Sequence, residues 1–184
     1  MKLASQEEVR AKFHNAETLV GTAEYMLAIQ RAIYPDIDKS YFLDMGCGEM
    51  TLSRFVANNK SVHVDVKDYP ARPREFCFVQ DDILRSTAHW TTLHYDLVLA
   101  TDVVEHFNKA DRETLLKRME HMADGAILFM PYGEYRECEP TSTNPDIHKD
   151  YVTEKTFPGW NSLVCSNWHE TQNRGAFFVW KSFR

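Results

Sequence analysis

Phe42-Leu43-Asp44-Met45-Gly46-Cys47-Gly48-Glu49-Met50-Thr51 is the stretch that decides the fold of this chain. A short apolar run ends in an acid, and two glycines separated by one residue come next. Together with the polar and apolar residues that follow, this order predicts a strand, a tight turn and a helix N-terminus. Glycine tolerates positive φ and lets a ligand approach the backbone closely. In an alternating α/β chain, the turn after the first strand is where nucleotide-like cofactors bind.

Asp44, directly before the turn, narrows the choice of cofactor. A carboxylate there would repel a diphosphate group, because both are negatively charged. A cofactor that carries an ammonium and a sulfonium would be attracted instead, and S-adenosylmethionine is such a cofactor. The main alternative, a nicotinamide or flavin dinucleotide, is bound by the fingerprint G-x-G-x-x-G. Thr51 stands where that fingerprint requires its third glycine.

Length and charge limit the class of protein. The 184 residues predict one domain, 1–184. The formal net charge of -6 argues against nucleic acid or an anionic membrane surface as a partner. The N-terminal residues have no apolar core of signal-peptide length, and no stretch has the apolar length of a membrane span. We therefore expect a cytoplasmic protein. The sequence leaves its oligomeric state open.

The four cysteines do not form a zinc-binding pattern, since none is part of a C-x-x-C pair. Cys47 lies in the glycine turn, whereas Cys77 and Cys165 lie in apolar, strand-like runs. We expect buried free thiols at these positions. Five histidines also show no ligand spacing, so the sequence assigns no metal; they are His14, His89, His94, His121 and His169.

Apolar periodicity predicts helices and strands in alternation. The predicted helices cover residues 5–33 with an interruption at Gly21, 52–58 after the glycine turn, 111–123 capped by Asp111, and 152–157. The predicted strands are centred on residues 41–44, 62–66, 76–79, 95–100, 126–130, 162–165 and 175–180. This pattern predicts an α/β, Rossmann-like, doubly wound sheet of seven strands. The sheet is mostly parallel, and the last strand is antiparallel.

At this point the chain resembles the class I S-adenosylmethionine-dependent methyltransferases, from about residue 40 to 134 and more loosely to the C-terminus. The run from Leu43 to Gly48 matches their first motif, Asp65 ends the second strand, and Asp82 follows the third. The resemblance implies that Asp65 binds the ribose hydroxyls and that Asp82, with the next backbone, holds the adenine. The expected cofactor-binding set is Asp44, Gly46, Cys47, Gly48, Asp65, Val66, Asp82, Ile83 and Thr101. Met50 departs from the family, which has a third glycine there.

The end of the fourth strand, from Thr101 to Phe107, resembles the segment that small-molecule methyltransferases carry there. The resemblance places Thr101 beside the methionine part of the cofactor. Glu105 and His106 face the cleft, and His106 is the candidate general base because histidine titrates near neutral pH. The alternative is that both residues only tie the strand end to the next helix. Nucleic-acid methyltransferases with an Asp-Pro-Pro-Tyr type motif differ at this point, which argues against a nucleic-acid substrate.

The long polar connection 131–150 is expected to lie over the cleft on the substrate side. Tyr132 and His148 are the substrate-pocket candidates, with Tyr135 beside them, and a solvated loop is the alternative. The N-terminal segment 1–34 is expected to provide a helical cover. The function implied is methyl transfer from S-adenosylmethionine to an oxygen or nitrogen of a small molecule. The alternative is a protein that binds S-adenosylmethionine without catalysis, as a regulatory or inactive subunit.

Overall fold

A computed structural model describes residues 2–16, 21–133, 138–144, 147–169 and 174–184. Across these residues, seven strands form one sheet in the order β3-β2-β1-β4-β5-β7-β6. The strands are β1 (Phe42–Met45), β2 (Val62–Asp65), β3 (Cys77–Gln80), β4 (Leu97–Thr101), β5 (Gly125–Tyr132), β6 (Asn161–His169) and β7 (Arg174–Ser182). The helices are α1 (Gln6–Lys12), α2 (Ala23–Ile33) and α3 (Lys109–Met122). Among the described residues, no helix is both long and apolar enough to cross a bilayer.

Strands β1 to β5 pair in parallel, and β7 lies antiparallel between β5 and β6. The predicted doubly wound sheet and its antiparallel last strand are therefore confirmed. Parallel strands are buried on both faces, which explains the continuous apolar character of β1 and β4. Alternate side chains point to opposite faces, so Phe42 and Leu43 belong to two different hydrophobic cores.

The two cores lie on opposite faces of the sheet. Helices α1 and α2 cover one face, where Val9, Ile29 and Ile33 pack with Phe42 and Trp180. Helix α3 covers the other face, and its inward residues are Leu115, Met119 and Met122. The interruption predicted at Gly21 is wider than expected, since α1 already ends at Lys12 and α2 begins at Ala23. At Gly21 itself the amide donates to the Trp168 carbonyl at 2.8 Å, and a Cβ there would collide with the indole ring.

Three further local predictions are corrected by the structure. The predicted helix 52–58 is only a 3₁₀ turn, Ser53–Phe55. The segment is too short to offset the cost of helix nucleation, and Asn58 ends it by donating to the carbonyls of Ser40 and Asp38. Helix α3 begins earlier than predicted, since Asn108 rather than Asp111 accepts the capping bond, from Asp111 N at 3.0 Å. The short helix predicted near 152–157 is a 3₁₀ turn, Glu154–Thr156.

The prediction of a buried free thiol is confirmed at two of its three positions. Cys47 and Cys165 are buried free thiols, as expected. Cys77 is exposed, because β3 is the edge strand of the sheet and has a neighbouring strand on one side only.

Candidate functional site

The carboxyl ends of β1, β2 and β4 open into a cavity of about 880 Å³. In an open α/β sheet, ligands bind in the crevice beyond the strand ends, where the strand order reverses. From β1 the chain runs to β2 and β3 on one side and then crosses to β4 on the other side, so this cavity lies at that point. Its volume is in the range of pockets that bury a small-molecule ligand.

The glycine turn after β1 forms one wall of the cavity. Gly46 and Gly48 have φ values of 68° and 52°, in the left-handed region that favours glycine. The Gly46 amide donates to the Val64 carbonyl at 2.8 Å, which ties the turn to β2. A Cβ at Gly46 would lie 2.6 Å from Val103, whereas a Cβ at Gly48 would meet open space. Gly48 therefore leaves its backbone accessible from the cavity.

Met50 also adopts the left-handed conformation, with φ at 58°, where the resembled family has glycine. Its side chain is 1% exposed and is not part of the cavity wall. Met50 thus packs beneath the turn rather than narrowing the pocket. The left-handed backbone costs a residue with a Cβ roughly 1–2 kcal/mol, which burial of the methionine side chain offsets.

Asp44 lies at the cavity wall, but its carboxylate also contacts a side chain of the protein interior. His63, opposite it on β2, approaches Asp44 Oδ2 with Nδ1 at 3.1 Å, and both side chains are almost fully buried. The other ring nitrogen, Nε2, lies 2.9 Å from Ser61 Oγ. Because an ionised carboxylate only accepts, His63 Nδ1 carries the proton of this bond. Asp44 is therefore oriented by a buried chain of polar side chains.

Asp65 ends β2 at the cavity, beside the glycine turn. Its Oδ2 accepts from the Gly48 amide at 2.9 Å, and its Oδ1 accepts from the Lys67 amide at the same distance. These two bonds fix the carboxylate plane. Each carboxylate oxygen has a further lone pair for a ligand hydroxyl. The next residue, Val66, lines the cavity with a side chain that is 53% exposed, an apolar surface for a ligand.

The two acids after β3 have different surroundings. Asp81 is not part of the cavity wall; the hydroxyl of Ser86 and the indole N–H of Trp90 donate to it and hold its pKa below the usual range. Asp82 lines the cavity, and its Oδ1 accepts from the amides of Leu84 and Arg85. Ile83 lines the cavity as well. The structure thus places Asp82, the preferred residue of the two, at the site.

Cys47 and Thr101 complete the predicted cofactor set at the cavity wall. Burial raises the pKa of the Cys47 thiol, and the carboxylates of Asp44 and Asp65 raise it further. The thiol therefore stays protonated at neutral pH and acts as a wall residue, not a nucleophile. All nine residues of the set line this one cavity.

Glu105 and His106 follow β4 in a 3₁₀ turn, Val104–His106, and only His106 lines the cavity. Glu105 is 2% exposed. Burial raises the pKa of Glu105 well above its usual range, and the nearby Asp102 carboxylate raises it further. His148 packs edge to face against His106, with ring centroids 4.8 Å apart.

Not all residues predicted for the substrate side lie at the cavity. Tyr132 does not line the cavity: its hydroxyl donates to Glu154 at 2.8 Å. His148 adjoins the cavity through His106, while Ser142, Thr143 and Lys149 of the 131–150 connection line it directly. Tyr135 lies outside the described residues. Among the residues described in 1–34, none lines the cavity, because α1 and α2 pack on the face of the sheet.

Sequence reasoning missed two features of this site. The first is the bond of His63 to Asp44, which depends on the register of β1 with β2. The alternation Val62-His63-Val64 was the available signal, but without the register it did not name a partner. The second feature is the convergence of Glu105, His106 and His148, of which the first two were expected at the reaction centre and the third in the substrate pocket, none as a metal ligand.

Comparison with known proteins gives a likeness of structure. No protein-family model matches the sequence, and no curated protein sequence matches it. Among solved structures, the cyclopropane-fatty-acyl-phospholipid synthase-like protein of Lactobacillus casei ATCC 334 has a TM-score of 0.63 at 11% identity, over 94% of this chain and 99% of that one.

Two further neighbours were crystallised with ligands. Magnesium protoporphyrin IX methyltransferase from Synechocystis PCC 6803, with bound SAM, has a TM-score of 0.57 at 14% identity, covering 95% of this chain and 81% of its own. N-methyltransferase NodS from Bradyrhizobium japonicum WM9, in complex with S-adenosyl-L-homocysteine, has a TM-score of 0.57 at 12% identity, over 88% of each chain. At such low identity these likenesses establish a shared fold.

Proposed function

We propose that this chain, which has the fold of the class I S-adenosylmethionine-dependent methyltransferases, binds S-adenosylmethionine in the cavity beyond β1, β2 and β4. We further propose that it transfers the methyl group to an oxygen or nitrogen of a small molecule. One observation carries the proposal: the glycine turn and the ends of three other strands, far apart in sequence, supply the walls of a single cavity.

The residues present fit the two ends of the nucleoside. Asp65, held by the amides of Gly48 and Lys67, would accept hydrogen bonds from the two ribose hydroxyls. Val66 and Ile83 offer apolar surface for the adenine ring, and Asp82 would accept from its amino group. The neighbouring amides that bond to Asp82 keep its carboxylate in place before the ligand arrives.

The charge of the cavity supports a cationic cofactor. In the described wall, six carboxylates are joined by only two Lys or Arg side chains, Arg85 and Lys149; the acids are Asp44, Glu49, Asp65, Asp82, Asp102 and Asp111. Such a wall attracts an ammonium and a sulfonium and repels a diphosphate. Asp44 and Thr101 would face the methionine part, with Asp44 oriented by His63.

The chemistry asked of the protein is mainly alignment. The cofactor supplies a methyl group on a sulfonium, which is already a good leaving group. The cavity walls would hold the acceptor atom in line with the methyl carbon, and such positioning can account for much of the rate. Where the acceptor arrives protonated, His106 is the candidate to take its proton, because it lines the cavity.

Calorimetric titration of the chain with S-adenosylmethionine and S-adenosylhomocysteine tests the proposal, with NADH as the competing ligand. We expect both adenosyl compounds to bind with micromolar Kd and NADH not to bind. Asp65→Ala should weaken binding at least tenfold, the equivalent of about 1.4 kcal/mol. Asp65→Asn keeps an acceptor for the Gly48 amide and checks that the turn stays folded. Asp36→Asn, at an exposed position that is not part of the cavity wall, is the matched control.

Two results would count against the proposal in different ways. Binding of NADH in place of the adenosyl compounds would overturn the choice of cofactor. Tight binding of S-adenosylmethionine with no methylated product across a broad set of hydroxyl, amine and carboxylate acceptors would instead support a binding protein without catalysis.

A further inference from the structure

Three potential metal ligands converge beside the cofactor cavity. Glu105, His106 and His148 each offer one ligand atom, and these atoms lie within 4.8 Å of one another. Glu105 and His106 come from the turn after β4, whereas His148 comes from the connection after β5. His106 lines the cavity, so the group adjoins the space where an acceptor would bind.

Glu105 is the residue that most strongly indicates a bound ligand. It is 2% exposed, and among the described residues neither of its carboxylate oxygens has a hydrogen-bond partner. A buried carboxyl group without a partner either keeps its proton or coordinates a metal, because an isolated carboxylate loses its hydration on burial. Native structures rarely leave such oxygens unsatisfied, and an ion is one of the ordinary explanations.

The surrounding backbone holds His148 against this carboxylate. The amide of Lys149 donates to the Glu105 carbonyl at 2.8 Å, and the His148 carbonyl accepts from the Glu139 amide at 2.8 Å. The buried guanidinium of Arg112, on α3, forms an ion pair with Asp150 at 2.8 Å. These contacts on both sides of His148 fasten its segment to the turn and to α3, so the cluster is built into the fold.

We propose that Glu105, His106 and His148 bind one divalent transition-metal ion at the acceptor side of the cavity. One carboxylate oxygen with two imidazole nitrogens suits Mn²⁺, Fe²⁺, Co²⁺ or Zn²⁺, whereas Mg²⁺ and Ca²⁺ prefer sites made of oxygen alone. With bonds of about 2.1 Å, neighbouring ligand atoms lie roughly 3–3.5 Å apart. Rotation of the two imidazole side chains would close the remaining distance.

This site, which rests on the proposed function for its role in catalysis, points to a hydroxyl compound as the methyl acceptor. A bound divalent ion lowers the pKa of an oxygen ligand and orients it. The hydroxyl proton would pass to water, the oxygen would form a bond to the methyl carbon, and the electrons of the breaking C–S bond would stay on sulfur. His106 then serves as a metal ligand and not as the general base.

Metal binding is measured on the tag-free chain after removal of metals with EDTA and exchange into metal-free buffer. Titration with Mn²⁺ is followed by the EPR signal of the free ion, and titration with Co²⁺ by its visible absorption. We expect one ion per chain. Glu105→Gln and His148→Asn should each raise the Kd at least tenfold, while His121→Asn, an exposed histidine on α3, should leave it unchanged.

Titration of the same EDTA-treated chain with S-adenosylmethionine separates the two proposals. If the nucleoside binds but neither Mn²⁺ nor Co²⁺ does, the metal site is overturned and the cofactor proposal stands. If the metals bind but the nucleoside does not, the metal site stands and methyl transfer fails. Metal binding that survives both Glu105→Gln and His148→Asn would also overturn the site. Should one of the two variants fail to fold, the Kd of the other decides by itself.

Discussion

The environment of His63 shows how much a side chain's role depends on one neighbour. His63 is fully buried, packs edge to face against Phe42, and bonds to Asp44 and Ser61. Asp44 is therefore a buried carboxylate with a buried partner, at the wall of the cavity. Removing one member of such a pair leaves the other charge uncompensated, which costs far more than the net contribution of the pair.

We predict that His63→Leu lowers the free energy of unfolding by about 3 kcal/mol, because Asp44 loses its buried donor. His63→Asn should lose much less, since the asparagine amide can replace Nδ1 as donor to Asp44. Urea unfolding of the two variants provides the comparison. Equal losses would mean that His63 contributes only through packing.

The loop that joins β1 to β2 departs from the predicted strand, turn and helix. The turn forms as expected, with two glycines at positive φ, but a single 3₁₀ turn replaces the helix. Since Met50 occupies a left-handed position three residues before Ser53, where the 3₁₀ turn begins, the direction of the backbone after the turn is not specified by the glycine pattern alone.

The two glycines of this turn should respond differently to alanine. Gly48→Ala costs about 1 kcal/mol for the left-handed backbone, since its Cβ meets open space. Gly46→Ala has the same backbone cost and also drives a Cβ into Val103, so we predict a loss of stability at least 1 kcal/mol greater.

Thermal unfolding and S-adenosylhomocysteine titration distinguish the two effects. Gly48→Ala should lower the free energy of nucleoside binding by more than it lowers the free energy of unfolding, because Gly48 lines the cavity. A Gly46→Ala variant as stable as Gly48→Ala would contradict this, because it would mean that the Val103 side chain moves aside with no loss of stability.

In the molecule as a whole, the residues of the hydrophobic cores and those of the cavity wall lie in different places. Both faces of the sheet are covered by helices, and the described residues of α1 and α2 do not reach the cavity at the strand ends. Ile29 on α2 is fully buried in the core, whereas Val66 at the end of β2 is half-exposed on the cavity wall.

We predict opposite behaviour for these two positions. Ile29→Ala should lower the free energy of unfolding by about 3 kcal/mol and leave the Kd for S-adenosylmethionine within about twofold. Val66→Ala should change stability by less than about 0.5 kcal/mol and raise that Kd roughly fivefold, through loss of apolar contact. Denaturant unfolding and calorimetry on both variants provide the check, and coupled changes at either position would contradict the separation.

The order and type of the main elements, and the residues that meet at the cavity beyond the strand ends, follow from the amino-acid sequence. Apolar runs, the glycine turn and the acids at strand ends are local patterns, and parallel strands bring their carboxyl ends to one edge whatever the loops do. That is why Asp44, Gly48, Asp65, Asp82 and Thr101 could all be placed in advance.

Only the tertiary structure decided which side chains meet across the sheet and across long loops. The bond from His63 to Asp44 depends on strand register, and a shift by one residue would turn His63 to the other face. The meeting of His148 with Glu105, and the turn of Tyr132 to Glu154, depend on the path of the 131–150 connection. No local periodicity encodes that path, because it is set by backbone bonds and an ion pair between residues distant in the chain.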